Sequence, residues 1–254
     1  MSCHVERPLD DRVWARFEAL HAARPGGFRI AALVRPPDAE AGEDEAIWLE
    51  RARRAAELGP LGHHTHWGGP GQARPPADRI AAKSGNGDSP PSHGPAERVR
   101  REGEWLREAG LRATLFCGGG WYSDEGVAEA VAELGYADCT ATAFRPPYLE
   151  PDAPRLHLDR PARLALPSRR RLLELPTTHS IGMLVRALAR GLHEPLVHVY
   201  FHDTDLLDGR RSLALRAALR LLALRREPSD LDAVAAAVAA DELPFSAAFA
   251  PRRR

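Results

Sequence analysis

The sequence predicts an α/β fold, a distorted (β/α)7–8 barrel, built as one domain over residues 1–254. Three observations predict it. Short apolar runs alternate with helical patterns, the mark of parallel β/α architecture. The length of 254 residues matches the roughly 250 residues typical of such barrels. Residues suited to chemistry recur at the ends of the apolar runs, where a barrel places its active face.

Taken in order, residues 3–6 read as a first short strand, and 10–23 as a helix capped by Asp10 or Asp11. Residues 28–34 form a strand closed by Arg35-Pro36-Pro37. A helix follows over 43–58, with Ile47, Ala55 and Leu58 among its apolar positions. The next strand runs into His63-His64-Thr65-His66. Residues 68–94, rich in Gly, Pro, Ser and charge, are too long for a routine connection and read as a functional loop or lid. Helix 95–109, strand 112–117, helix 124–134 and strand 137–143 continue the alternation. After a Pro- and Arg-rich connection over 145–171 come strand 172–175, helix 181–192, strand 196–201, and helices 210–225 and 230–240. Residues 245–250 read as a strand that closes the barrel. The chain shows no internal repeat and no second apolar core.

Composition narrows the partners. The 35 basic and 35 acidic residues cancel, which argues against a nucleic acid or an anionic membrane as the main partner. Lys83 is the only lysine; the arginine bias reads as genome composition, and Arg252-Arg253-Arg254 as a solvated tail. Cys3, Cys117 and Cys139 lack C-x-x-C spacing, so neither a disulfide framework nor a cysteine zinc site is expected. With no apolar leader after Met1 and no run of membrane-spanning length, the expected setting is reduced and cytoplasmic.

The histidines carry the chemistry. Residues two apart in a strand share a face, so His64 and His66 point one way while His63, Thr65 and Trp67 point the other. In Val197-His198-Val199-Tyr200-Phe201-His202-Asp203, His198, Tyr200 and His202 likewise share a face. Neutral imidazole is a common metal ligand and an acid/base near neutral pH, so two such strand ends point to metal-assisted hydrolysis. The alternative is a set of hydrogen-bonded core or surface histidines.

These residues, in this order, resemble the polysaccharide deacetylases of carbohydrate esterase family four, the nodulation-type deacetylase homology domain, as a divergent member. Leu61-Gly62-His63-His64-Thr65-His66-Trp67 is similar to the family's metal-binding histidine motif in a compact H-x-H form. Gly110-Leu111-Arg112-Ala113-Thr114-Leu115-Phe116-Cys117-Gly118-Gly119-Gly120-Trp121 resembles the groove-wall motif. Leu134-Gly135-Tyr136-Ala137-Asp138 resembles the strand entry after it, and Val199-Tyr200-Phe201-His202-Asp203 the late strand with the catalytic histidine.

The resemblance implies a divalent metal, zinc first, that activates water against an acetyl carbonyl on a carbohydrate or related small molecule. His64 and His66 map onto the two histidine ligands. His202 maps onto the histidine that protonates the leaving amine, with Asp203 or Asp205 to orient its ring. Trp67, Trp121 and Tyr122 offer flat faces to sugar rings. Cys117 and Gly119 lie in the groove wall, and His179 lines the rim or sits in a plain loop.

Where the family has two acidic residues near the end of strand one, this chain has Ser2-Cys3-His4-Val5-Glu6. Alternation puts His4 and Glu6 on one face, which makes Glu6 the third ligand and His4 a candidate base. Cys117 stands where the family has an arginine that orients the base. The expected function is metal-dependent hydrolysis of the acetamide C–N bond of an acetylated sugar or related small amide. A second reading is a barrel that binds a glycan or metabolite without turnover, and a third is a metal-independent hydrolase using Cys117.

Overall fold

A computed structural model describes residues 1–38, 42–65, 94–146 and 154–249. Nearly all of the expected 68–94 loop, together with His66 and Trp67, lies outside the described residues.

Ten strands form one sheet: β1 (Ser2–Val5), β2 (Ala31–Val34), β3 (Leu61–Thr65), β4 (Leu115–Gly118), β5 (Ala137–Asp138), β6 (Ala162–Ala165), β7 (Arg171–Glu174), β8 (His179–Ser180), β9 (Val199–His202) and β10 (Asp241–Pro244). Their order is β10-β6-β7-β5-β4-β3-β2-β1-β9-β8. Every pairing is parallel except β6 with β7. Seven helices lie among the described residues: α1 (Asp11–Ala23), α2 (Glu45–Leu58), α3 (Pro95–Glu108), α4 (Glu125–Leu134), α5 (Ile181–Arg190), α6 (Gly209–Ala223) and α7 (Leu231–Ala237). None is long and apolar enough to cross a membrane.

β7 and β8 belong to one short run of chain, and that run is hydrogen-bonded on both sides. Leu175 N donates to Asp138 O at 2.7 Å and Thr177 N to Ala141 O at 2.8 Å, on the β5 side. Thr178 N and His179 N donate to His198 O at 2.9 and 3.0 Å, on the β9 side.

Local chemistry explains the helix starts. Side-chain oxygens of Asp10, Asp44, Asp124, Ser180, Asp208 and Asp230 accept from the first-turn amides of α1, α2, α4, α5, α6 and α7, supplying partners that the helix itself cannot. Of the two candidate caps at α1, Asp10 performs the role. α3 begins instead with Gly94 followed by Pro95, whose fixed φ suits a first turn.

Two expectations for the C-terminal half are corrected. The stretch 145–171 contains β6, which pairs with β7 and β10. The closing strand expected over 245–250 is not found among its described residues: Phe245–Ala248 is a 3-10 turn, and the strand before it, β10, pairs with β6. β10 ends on Pro244, which has no N–H for a ladder, while Phe245 is buried and packs edge-on against Phe249 at 4.9 Å.

The sheet has apolar side chains on both faces, as expected of parallel strands. On the outer face, Cys3, Val5, Ala32, Val34, Val199 and Phe201 pack with Phe17, Leu20, Trp48, Leu184, Leu215 and Leu219 from the helices. Phe116 and Leu172 pack with Val99, Val127 and Val131 in a second outer layer. The inner face gathers Ala31, Leu33, Leu115, Cys117, Cys139, Leu175 and Tyr200. A fully buried Leu or Phe contributes about 2 kcal/mol, so both layers hold the strand ends firmly.

Candidate metal centre

Strand register brings the inner-face histidines together. His4 on β1 is opposite His202 on β9, and His64 on β3 is opposite Cys117 on β4. Between them, Leu33 pairs with Gly62 and Gly62 with Leu115. A Cβ at Gly62 would lie 2.2 Å from Leu33 Cδ2 and 2.9 Å from Leu115 Cβ, so only glycine lets these leucines meet one pleat away from His64.

His4 is the hub. Its ring centroid is 4.5 Å from that of His64, 5.2 Å from His202, 5.6 Å from Trp121 and 5.7 Å from Tyr200. His4, His64 and Cys117 each offer a donor atom within 4.8 Å of the others, and all three are buried.

His64 has a fixed tautomer. Its Nδ1 donates to the Cys117 carbonyl at 2.8 Å, which leaves Nε2 with the lone pair that a ligand needs. Burial lowers its pKa to about 4, so the ring is neutral at pH 7. Burial has the opposite effect on the Cys117 thiol, raising it well above its ordinary value. A nearby cation is needed to favour the thiolate.

His202 stands between carboxylates. Its Nε2 is 3.5 Å from Glu6 Oε1 and its Nδ1 is 3.8 Å from Asp205 Oδ2, while its backbone N donates to Asp205 at 3.0 Å. Burial pushes the Asp205 carboxyl up, but the His202 hydrogen bonds and the Arg211 charge prevail and bring it to about 2. Asp203 has other partners: it accepts from Arg7 N and Thr204 N, each at 2.8 Å. Burial raises its pKa to about 6.

An aromatic wall backs the site. Trp121 has φ +65°, a conformation costing a side-chain-bearing residue roughly 1 kcal/mol or more. It is buried and meets Tyr200 edge-on at 4.6 Å, and Phe144 stacks on Tyr200 at 5.9 Å. Its ring therefore faces His4 and Tyr200. Gly119 opens the 3-10 turn Gly119–Trp121. Tyr122 is buried and donates to Asp124 at 2.6 Å.

His179 pairs in register with Val199, an outer-core residue, whereas Ser180 pairs with Tyr200. It thus projects to the face away from His4. Its Nδ1 donates to Thr178 Oγ1 at 2.8 Å and its Nε2 is 3.7 Å from Glu194.

Of the expected metal set, the structure places His64 beside His4 and Cys117, and Glu6 beside His202. His66 lies outside the described residues. Sequence reasoning passed over Cys117 as a metal donor, because its pairing with His64 depends on strand register. It also passed over Phe144, and over Arg35, which reads as a strand terminator. Arg35 is buried, donates to both Glu43 oxygens at 2.7 and 2.6 Å, and reaches Glu6 O at 3.5 Å. An arginine directly after a buried strand and eight residues before a glutamate was the available signal. A cavity of about 550 Å³ lies elsewhere, lined by Met1, Phe28, Leu196, Val199, Leu231 and Val234 among others. No residue of the histidine cluster borders it.

No protein-family model matches the sequence, and no curated protein does. Among solved structures, the chain is similar to 4-α-glucanotransferase from Thermococcus litoralis, at 12% identity and a TM-score of 0.51 over 95% of this chain and 38% of that one. It therefore spans less than half the length of that neighbour. A second similar structure is a candidate polysaccharide deacetylase involved in O-antigen biosynthesis from Bordetella bronchiseptica, at 14% identity and a TM-score of 0.44 over 90% of this chain and 84% of that one. The glucanotransferase match bears on fold alone.

Proposed function

We propose that the protein is a metal-dependent hydrolase of the polysaccharide deacetylase type, acting on the acetamide of an acetylated sugar or a related small amide. The supporting architecture is a seven-stranded parallel barrel closed through residues 171–180, with β6 and β10 as an appendage. The observation that carries the functional reading is the His4–His64–Cys117 set, three buried donors within 4.8 Å at strand ends.

The donors suit zinc. A tetrahedral shell of two imidazoles and one thiolate has its donor atoms roughly 3.3–3.6 Å apart, so small side-chain rotations close the set. Three protein ligands leave one position open, the pattern of catalytic rather than structural zinc. When bound, such an ion polarises a carbonyl and lowers the pKa of water to about 7.

The chain supplies the rest. The Cys117 carbonyl aims His64 Nε2. Glu6 and His202 form a proton-handling pair, Glu6 to accept and His202 to deliver to a leaving nitrogen. Asp205, itself held by Arg211, fixes the His202 ring. Trp121, Tyr200 and Phe144 exclude water on one side, which strengthens every charge interaction within. Cys117 as a free nucleophile is disfavoured by its burial and raised thiol pKa.

Metal stoichiometry of the wild type beside His4→Ala, His64→Ala and Cys117→Ser, together with acetate release from an N-acetylated amino sugar, tests this. One bound ion, lost in the histidine variants, with acetate release that chelation abolishes, is expected. Bound metal without release across acetylated sugars and small amides would favour the non-catalytic binder.

A further inference from the structure

Exposed apolar residues are not spread over the molecule. Of the six large ones exposed among the described residues, Val185, Leu207, Leu213, Leu221 and Leu224 all lie on or next to α5 and α6, and Leu224 is 81% exposed. Positions 213, 217, 221 and 224 recur at helical spacing on one side of α6, while Leu215, Leu219 and Leu222 are buried.

Charge segregates the same way. Between Asp208 and Glu227 the chain has six arginines and no acidic residue, and α5 has Arg186 and Arg190 with none. α2 balances three acidic residues with three arginines, and α3 balances four with four. Genome-wide arginine bias therefore does not explain the asymmetry. Arg54, Arg98 and Arg100, on those balanced helices, form ion pairs. Among the described residues, Arg186, Arg190, Arg216 and Arg220 form none.

The two helices share one surface. Leu184 and Leu188 of α5 pack in the same core as Leu215 and Leu219 of α6. Arg225 and Arg226, just past α6, donate to Leu188 O at 2.6 Å and Leu192 O at 2.9 Å, tying the C-terminal ends together.

We propose that the α5–α6 face docks onto an anionic membrane surface. Leucines at the interface bury into the acyl boundary while unpaired arginines meet lipid phosphates, the physics of an interfacial amphipathic helix. The zero net charge of the whole chain conceals this local field.

Co-sedimentation with phosphatidylcholine vesicles, with and without phosphatidylglycerol, tests the proposal. The full chain is expected to pellet with the anionic vesicles, poorly with the neutral ones, and less as salt rises. Arg216→Gln with Arg220→Gln should weaken binding about 30-fold, at roughly fivefold per arginine. Leu213→Ser with Leu221→Ser should weaken it on the order of tenfold. Leu213, Arg220 and Leu221 are exposed and Arg216 is half-buried, so an unchanged thermal midpoint shows that each variant is folded. Failure of the wild type to pellet with anionic vesicles, or equal pelleting of the folded variants, overturns the proposal. A wild-type dimer that the leucine variants dissociate, without vesicle binding, assigns the face to a second copy of the chain instead.

Discussion

His63 and His64 are adjacent, both buried, and lie on opposite faces of β3. The outer ring is held by side chains: His63 Nε2 lies 3.0 Å from both Glu102 and Thr65, and Glu102 also accepts from Arg98 at 2.7 Å. Burial pushes the Glu102 carboxyl up, but the His63 hydrogen bond and the nearby charges outweigh it and hold it below its ordinary value. The inner ring is held by a backbone carbonyl and faces other imidazoles. Burial alone does not separate a structural histidine from a candidate ligand; the partner does. His63 is tied to a carboxylate on the outer side, whereas His64 is anchored by a main-chain carbonyl beside His4 and Cys117.

The largest expected effect lies on the inner face. His64→Ala should remove the metal and lower any hydrolytic rate by more than about 100-fold, beyond the losses typical of outer-shell partners; metal analysis and activity read this. His63→Ala should leave metal content near wild type yet cost about 1–3 kcal/mol in urea unfolding, because a buried ring and its hydrogen bond to Glu102 are lost while Arg98 still pairs Glu102. Equal metal loss in both variants would erase the distinction between the faces.

A pH measurement sharpens it. His21, buried on the outer side, has its pKa lowered by burial from 6.5 to about 4. Its neutral form is favoured in the fold, so its contribution is complete above pH 6.5 and is lost as pH falls from 6.5 toward 4, by up to about 3 kcal/mol. In His21→Leu, denaturant midpoints followed across that window should fall less steeply. The smallest effect belongs to Glu174→Gln. Burial and the neighbouring Asp138 raise the Glu174 pKa well above its usual value, so a neutral amide of similar shape should change stability by under about 1 kcal/mol.

Much of this comparison was legible in residue alternation. Side-chain parity puts His4 with Glu6, and sets His63 and His64 on opposite faces, without any knowledge of neighbours. What parity cannot give is register. Placing Cys117 beside His64 requires knowing that β3 pairs with β4 at that offset, a long-range contact with no local mark. β6 and β10 were hidden for a different reason: each is four residues long, and Arg163, Asp241, Glu242 and Pro244 break their apolar pattern. The local basic excess of α6 was masked by averaging charge over the chain.

The bond from His64 Nδ1 to the Cys117 carbonyl has an evolutionary corollary. Because the acceptor is main chain, no exchange of the residue at 117 can abolish it; such an exchange alters only what the thiol offers. The aim of the His64 ring is thus inherited from how β3 and β4 are aligned, and a slip of one residue between those strands would misdirect it while leaving every amino acid in place. Drift at position 117 can therefore change the side chain offered beside His4 and His64 without disturbing the aim of the His64 ring.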